Sequence, residues 1–240
     1  LERQVEQRII RYTIGPGASY MEPEVRGETD KQGFCGEHFK KMYDYGNALG
    51  NALIMQTYYT ELQKGEVSPE RARVAVQIAG ATRDLGAYSK AYGEYETARK
   101  EVESLPAEVQ STAEAQRMLS SCLNGMGVCL LAQNKTTEAL AQYEAALAVD
   151  EAQYQAVAPK DGEELPEGEV EPGLSRAATD LLDSYRCLGD CQRAVDDPEE
   201  ARTTYMKGQE LAQRLKRLSS DMSISYVKLL TALGNLDNSM

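Results

Sequence analysis

The chain has 240 residues, 42% of them hydrophobic and 27% charged, with 38 acidic against 26 basic side chains and a net charge of −12. That length and apolar content suit a sizeable core and exclude a wholly disordered chain. No run approaches the roughly 20 apolar residues of a membrane span, no basic–apolar–small pattern opens the sequence, and the acidic balance argues against a broad nucleic-acid surface.

Residues 2–12 read as a short amphipathic helix, stopped by Ile14-Gly15-Pro16-Gly17. Residues 15–33 are rich in Gly, Pro and charge and read as loop. A longer helix is predicted from Gly33-Phe34-Cys35-Gly36-Glu37-His38-Phe39 through Tyr43, Leu49, Leu53 and Ile54 to about Leu62. Gly46 and Gly50, four apart on it, would let a neighbouring helix approach closely. Cys35 and His38 stand at i, i+3 on one helical face. They suit packing, half of a metal site (zinc is the candidate), or a thiolate–imidazolium pair. No companion acid or oxyanion motif supports nucleophilic catalysis, and Gly15-Pro16-Gly17 lacks the Lys and frame of a phosphate loop.

Composition shifts at Gln63-Lys64-Gly65-Glu66-Val67-Ser68-Pro69. Residues 1–64 carry eight Lys/Arg and nine Asp/Glu, while 18 and 29 follow, so nearly all of the net charge lies in the second part. Ser68 suits a helix cap and Pro69 its first turn. The expected division is a helical segment over 1–64 and a second domain over 68–240.

Beyond residue 68, helical periodicity dominates and the chain repeats itself. Ala91-Tyr95-Ala98, Ala139-Tyr143-Ala146 and Ala201-Tyr205-Gly208 share one spacing. With starts at Ala72, Ser120 and Leu182, these occupy positions 20, 24 and 27 of a common frame; Ala79, Gly127 and Gly189 fill position 8, and Ala81, Cys129 and Cys191 fill position 10. Each block reads as two helices crossing at small residues with an aromatic filling the gap. This resembles the tetratricopeptide repeat, whose large-Leu-Gly-Tyr…Ala…aromatic…Ala pattern recurs over about 34 residues, here across residues ~68–233. The starts are 48 and 62 residues apart, so long second helices and linkers separate the repeats. One linker, 159–173, holds six acids, one Lys, three Pro and three Gly and reads as an acidic loop. Asp197-Pro198-Glu199-Glu200 reads as a capping box. A final helix begins near Ser223 and is expected to end at Gly234-Asn235 as a cap, with Leu229, Leu230 and Leu233 offering an apolar end for self-association.

The resemblance implies an all-α solenoid with a concave face lined by first helices, which in this family commonly holds a partner protein or peptide. The corresponding positions supply Arg73, Arg83, Asn124, Arg186, Arg193 and Lys228, beside Asp183 and Asp190. These bases would favour an acidic peptide or a terminal carboxylate, unless each is neutralised by a nearby acid. The two-carboxylate clamp pattern is absent, with Val76 and Gly80 where Lys and Asn are expected. Cys187 and Cys191, and Cys122 and Cys129, read as small buried residues in repeat columns rather than metal ligands.

In the first segment, Met21-Glu22-Pro23, Gly33-Phe34-Cys35, His38-Phe39 and Gly46-Asn47 with Leu49-Gly50 resemble, over about residues 8–60, an uncharacterised bacterial family with a GFCxxHF motif. Its members usually carry further Cys pairs, so the resemblance implies a cysteine-based site of which only Cys35 and His38 are visible here. Five scattered Cys residues suit a reducing, cytoplasmic setting. The sequence therefore points to a non-enzymatic interaction scaffold without cofactor. The alternatives are a Cys35/His38 metal module with a repeat docking arm, or a repeat-based regulator sensing a peptide.

Overall fold

The computed structural model describes residues 8–13, 22–32, 38, 41–42, 44–46, 48–159, 171–215 and 220–237, and among them every regular element is helical. Two compact units divide the chain, Leu1–Ile78 and Ala79–Met240.

In the first unit, residues 8–13 are helical, followed by α1 (Pro23–Gln32) and α2 (Ala48–Leu62). α1 falls where the sequence reads as loop. Its start is nonetheless favourable: Pro23 is its first residue and Glu24 an acid in its first turn. The helix is then held by packing on α2, where the Thr57 hydroxyl donates to Asp30 Oδ1 at 2.7 Å. Tertiary contact outweighs the weak helix formers in its interior, Gly27, Thr29 and Asp30. The single long helix predicted up to Leu62 is also interrupted. Tyr45 and Gly46 form a turn, and Gly46 adopts φ +89°, which a glycine enters without steric cost. Nothing lies within 4 Å of a Cβ built at Gly46, so it serves the turn and not a helix crossing. Ile10, Met42 and Ile54 form one small core, and Met55, Tyr58 and Val74 another. α3 (Pro69–Asp84) starts as its signals predict, with the Arg71 N–H donating to Ser68 Oγ at 3.2 Å.

The second unit takes in the end of α3 and continues through α4 (Tyr88–Glu103), α5 (Ala107–Gln110), α6 (Ala113–Ala132), α7 (Thr136–Val157), α8 (Pro172–Ala194), α9 (Pro198–Arg214) and α10 (Ser220–Asp237). Packing is consecutive: α4 on α6, α6 on α7, α7 on α8, α8 on α9, and α10 over both α8 and α9. This is a short solenoid of tetratricopeptide-like repeats.

The repeated residues explain the stacking. Ala91, Ala139 and Ala201 are wholly buried, as are the rings of Tyr95, Tyr143 and Tyr205 to within a few per cent. Each ring lies against a glycine of a first helix. A Cβ would come within 2.2 Å of Tyr95 at Gly125, 2.7 Å of Tyr143 at Gly127 and 2.4 Å of Tyr205 at Gly189. The small residues are therefore space for the tyrosines. At position 10 the column is incomplete, since Cys129 and Cys191 are buried but Ala81 is exposed.

The turns repeat as well. Gly86 (φ +78°), Asn134 (φ +59°) and Asp196 (φ +64°) all stand at position 15 in left-handed backbone, and Gly, Asn and Asp are the residue types that tolerate it. In each turn the next N–H reaches back five residues, Ala87 to the Thr82 carbonyl, Lys135 to Leu130 and Asp197 to Gln192, at 2.9–3.2 Å. These are helix-stop bonds of the Schellman type. That bond also limits the predicted capping box. Asp197 accepts from the Glu200 N–H at 3.1 Å, while its own N–H is taken by Gln192.

α10 does not end at Gly234-Asn235 but continues to Asp237, where Arg202 of α9 pairs with the Asp237 carboxylate at 3.0 Å. Leu229 is fully buried and fills the space at Gly208. Leu230 and Leu233 are partly buried, Leu233 against the core. The apolar side chains α10 leaves exposed are Ile224 and Val227 instead. Most of the acidic loop, residues 160–170, lies outside the described residues, and α8 begins at Pro172 near its predicted end. Among the described residues no helix is long and apolar enough to cross a membrane.

Candidate functional site: the face of α6 and α8

The first helices α6 and α8 meet side by side within the second unit, joined by two polar contacts. Arg117 pairs with Asp180 at 2.6 Å, and the Asn124 amide donates to Ser184 Oγ at 3.2 Å. Both contacts join residues about sixty positions apart in sequence, beyond the reach of pattern reading.

The predicted cations are mostly neutralised within their own helices. In the first unit, Arg73 grips Glu70 through two bonds of 2.5 and 2.9 Å. In the second, Arg83 bonds Asp84 at 2.7 and 2.9 Å. Arg186 bonds Asp190 at 3.0 Å, with Asp183 3.8 Å away, and also donates to Cys187 Sγ at 3.3 Å. Asp190 is shared, accepting from the Tyr205 hydroxyl at 2.6 Å. The acid-neutralised alternative therefore describes Arg73, Arg83 and Arg186. Arg193 and Lys228 are exposed, and among the described residues no acid pairs with either.

Asn124 is half-buried rather than freely presented. It belongs to a buried network that residue spacing alone did not expose. The Ser120 hydroxyl of α6 and the Ser184 hydroxyl of α8 both donate to Asp150 Oδ2 of α7, at 2.7 and 2.5 Å. Asn124 Nδ2 donates onward to both serine oxygens, at 3.4 and 3.2 Å. Burial pushes the Asp150 carboxyl up to about 6, the two serine bonds opposing that rise. The signal was present in the sequence: the buried stripe of α7 runs Ala139, Tyr143, Ala146, Asp150, Tyr154, so one carboxylate interrupts an otherwise apolar face.

The cysteines of this unit sit as packing residues. Cys122, Cys129 and Cys191 are buried, Cys187 partly so. Burial raises every one of these thiols, Cys122 to about 12 and Cys187 and Cys191 to about 11, so they stay protonated near neutrality. Among the described residues no three His, Cys, Asp or Glu side chains are grouped to hold a metal ion. His38 is exposed, and Cys35 lies outside the described residues.

On the opposite side of α8, a cleft of about 420 Å³ opens between α7 and α9. Tyr185 and Leu181 form its floor, Glu151 and Tyr154 one wall, Lys207 and Arg214 the other. Tyr185 donates to Glu151 at 2.9 Å. Sequence reasoning, which followed only the first-helix face, missed it.

Fold and site together define an all-α protein whose second unit is a tetratricopeptide-like repeat array. The chain belongs to DUF6062, a family of unknown function whose model matches residues 1–142. That span runs through α3, α4 and α6 into α7. Two helical-repeat structures share the fold. The apo form of RapI superposes with a TM-score of 0.58 at 13% identity, covering 83% of this chain and 62% of its own, so the present chain spans under two thirds of RapI. BtubC (BKLC) from P. vanneervenii gives 0.58 at 16% identity, covering 91% of this chain and 85% of its own. No curated protein sequence matches.

Proposed function

We propose that the chain is a non-enzymatic scaffold that holds a partner protein or peptide against the face formed by α6 and α8. The observation that carries this reading is the pairing of two first helices through Arg117–Asp180 and Asn124–Ser184, which fixes the spacing of one continuous face in the repeat unit. Solenoids use extended faces of this kind to bind chains. Because Arg83 and Arg186 are already paired, selectivity for an acidic partner would rest on Arg193 and Lys228. A rim charge of that kind acts mainly on association rate and salt dependence.

The test is stoichiometric co-purification with the tagged full chain at two salt concentrations. Arg193→Glu with Lys228→Glu is expected to reduce recovery of the partner, most strongly at low salt. Lys207→Glu, in the cleft behind α8, should leave recovery unchanged. Recovery lost only with Lys207→Glu would move binding to the cleft and overturn the assignment; the absence of any stoichiometric partner would do the same for the scaffold reading.

A further inference from the structure

A hydrogen-bond chain runs from the buried carboxylate of α7 to the binding face proposed above, and donor counting fixes its direction. An ionised carboxylate only accepts. Asp150 Oδ2 therefore takes the hydrogens of both Ser120 and Ser184. Each hydroxyl has one hydrogen, so both serine oxygens are left as acceptors. The Asn124 side chain meets them with its NH₂ group, its only donor. The carbonyl end, Oδ1, is consequently turned away; it is buried and accepts no hydrogen bond from any described residue. One carboxylate thus dictates which end of a face amide points into the helix interface.

We propose that Asp150 is the positioning residue for Asn124, and that adding a proton to Asp150 releases the amide to reverse. A protonated Asp150 donates one bond itself. One serine oxygen then accepts from it, and that serine's own hydrogen becomes available to Asn124 Oδ1. The serine pair then offers Asn124 one donor and one acceptor in place of two acceptors, so Asp150 no longer fixes which end of the amide meets it. The charged groups facing Asp150 are few: Asp180 of α8 opposes its ionisation, and Arg117 of α6, paired with Asp180, favours it. The inference rests on the scaffold reading only for its consequence, a pH-dependent contact between α6 and α8 beneath the proposed face; its test requires no partner.

That test follows the Asn124 side-chain NH₂ resonances of the full chain by ¹⁵N NMR between pH 5 and 8, assigned by their loss in Asn124→Ala. The wild-type pair should titrate with a midpoint near 6, in Asp150→Asn it should not titrate, and in Glu151→Gln it should titrate as in wild type. Should Asp150→Asn fail to fold, Ser184→Ala serves instead. Losing one donor to the carboxylate is expected to raise the midpoint. A wild-type pair that does not move with pH, a titration that survives Asp150→Asn, or a midpoint unchanged by Ser184→Ala would each overturn the proposal.

Discussion

The ring of Tyr205 lies across Gly189 so closely that a methyl group on the glycine would stand 2.4 Å from it. The contact is repeated by Tyr143 on Gly127, so these aromatics set how near the paired helices come. In a helix interior Gly→Ala ordinarily stabilises by about 0.5–1 kcal/mol. Here overpacking, about 1–3 kcal/mol, opposes and exceeds that gain. Gly189→Ala should therefore lower stability in urea unfolding by about 1–2 kcal/mol. Gly93→Ala, in the middle of α4 with nothing within 4 Å, should raise it. Equal responses at the two sites would refute the close-packing account.

Asp150 gives the chain a calculable pH dependence. Its folded-state value, about 6, stands above the ordinary 3.8. The folded chain therefore holds the proton more tightly, and the associated stability is fully present below about pH 4 and lost as pH rises through 6. Between pH 5 and 8 this group alone should remove about 1.4 kcal/mol. Asp150→Asn should lack that loss. Urea unfolding of both proteins at the two pH values checks this, and parallel behaviour of the pair would count against the buried carboxylate as its source.

The thiols of the repeat unit should be protected. In a Cys35→Ser background at pH 8, a thiol reagent should label Cys122, Cys129 and Cys191 only on unfolding, with the partly buried Cys187 reacting first. Peptide mapping after brief labelling decides the order. Rapid native labelling of Cys122 would contradict its burial.

Cys35 and His38 make a sharp prediction because two ligands are half of a closed site. The full chain, purified without chelator, should carry well under one zinc per molecule by elemental analysis. One full equivalent that disappears in Cys35→Ser would establish a metal centre in the first unit and add a cofactor to the scaffold.

The second unit was largely legible because its packing is written in residue size. Ala91, Ala139 and Ala201 recur at one spacing for the reason they are buried: helices cross there. Elements that depend on contact were not legible. α1 has a charged, glycine-containing sequence and is held through α2 and the Thr57–Asp30 bond. The break at Gly46 replaced a helix crossing with a turn because a lone glycine signals either. Among the predicted binding residues, the pairs Glu70–Arg73 in the first unit and Arg186–Asp190 in the second stand at ordinary helical spacings and were open to sequence reading as local neutralisation. Arg117–Asp180 and the serine bonds to Asp150 connect distant helices, and no local spacing encodes them.

The left-handed residues Gly86, Asn134 and Asp196 have a practical corollary. All three are exposed, and each ends one helix before the chain reverses. Glycine at Asn134 or Asp196 relieves the side-chain penalty of that backbone, whereas a β-branched residue aggravates it. Each reversal can thus be strengthened or weakened without disturbing a buried ring, a thiol or the α6–α8 face. A graded series at these positions, followed by hydrogen exchange, would reveal whether the repeats melt together or one after another.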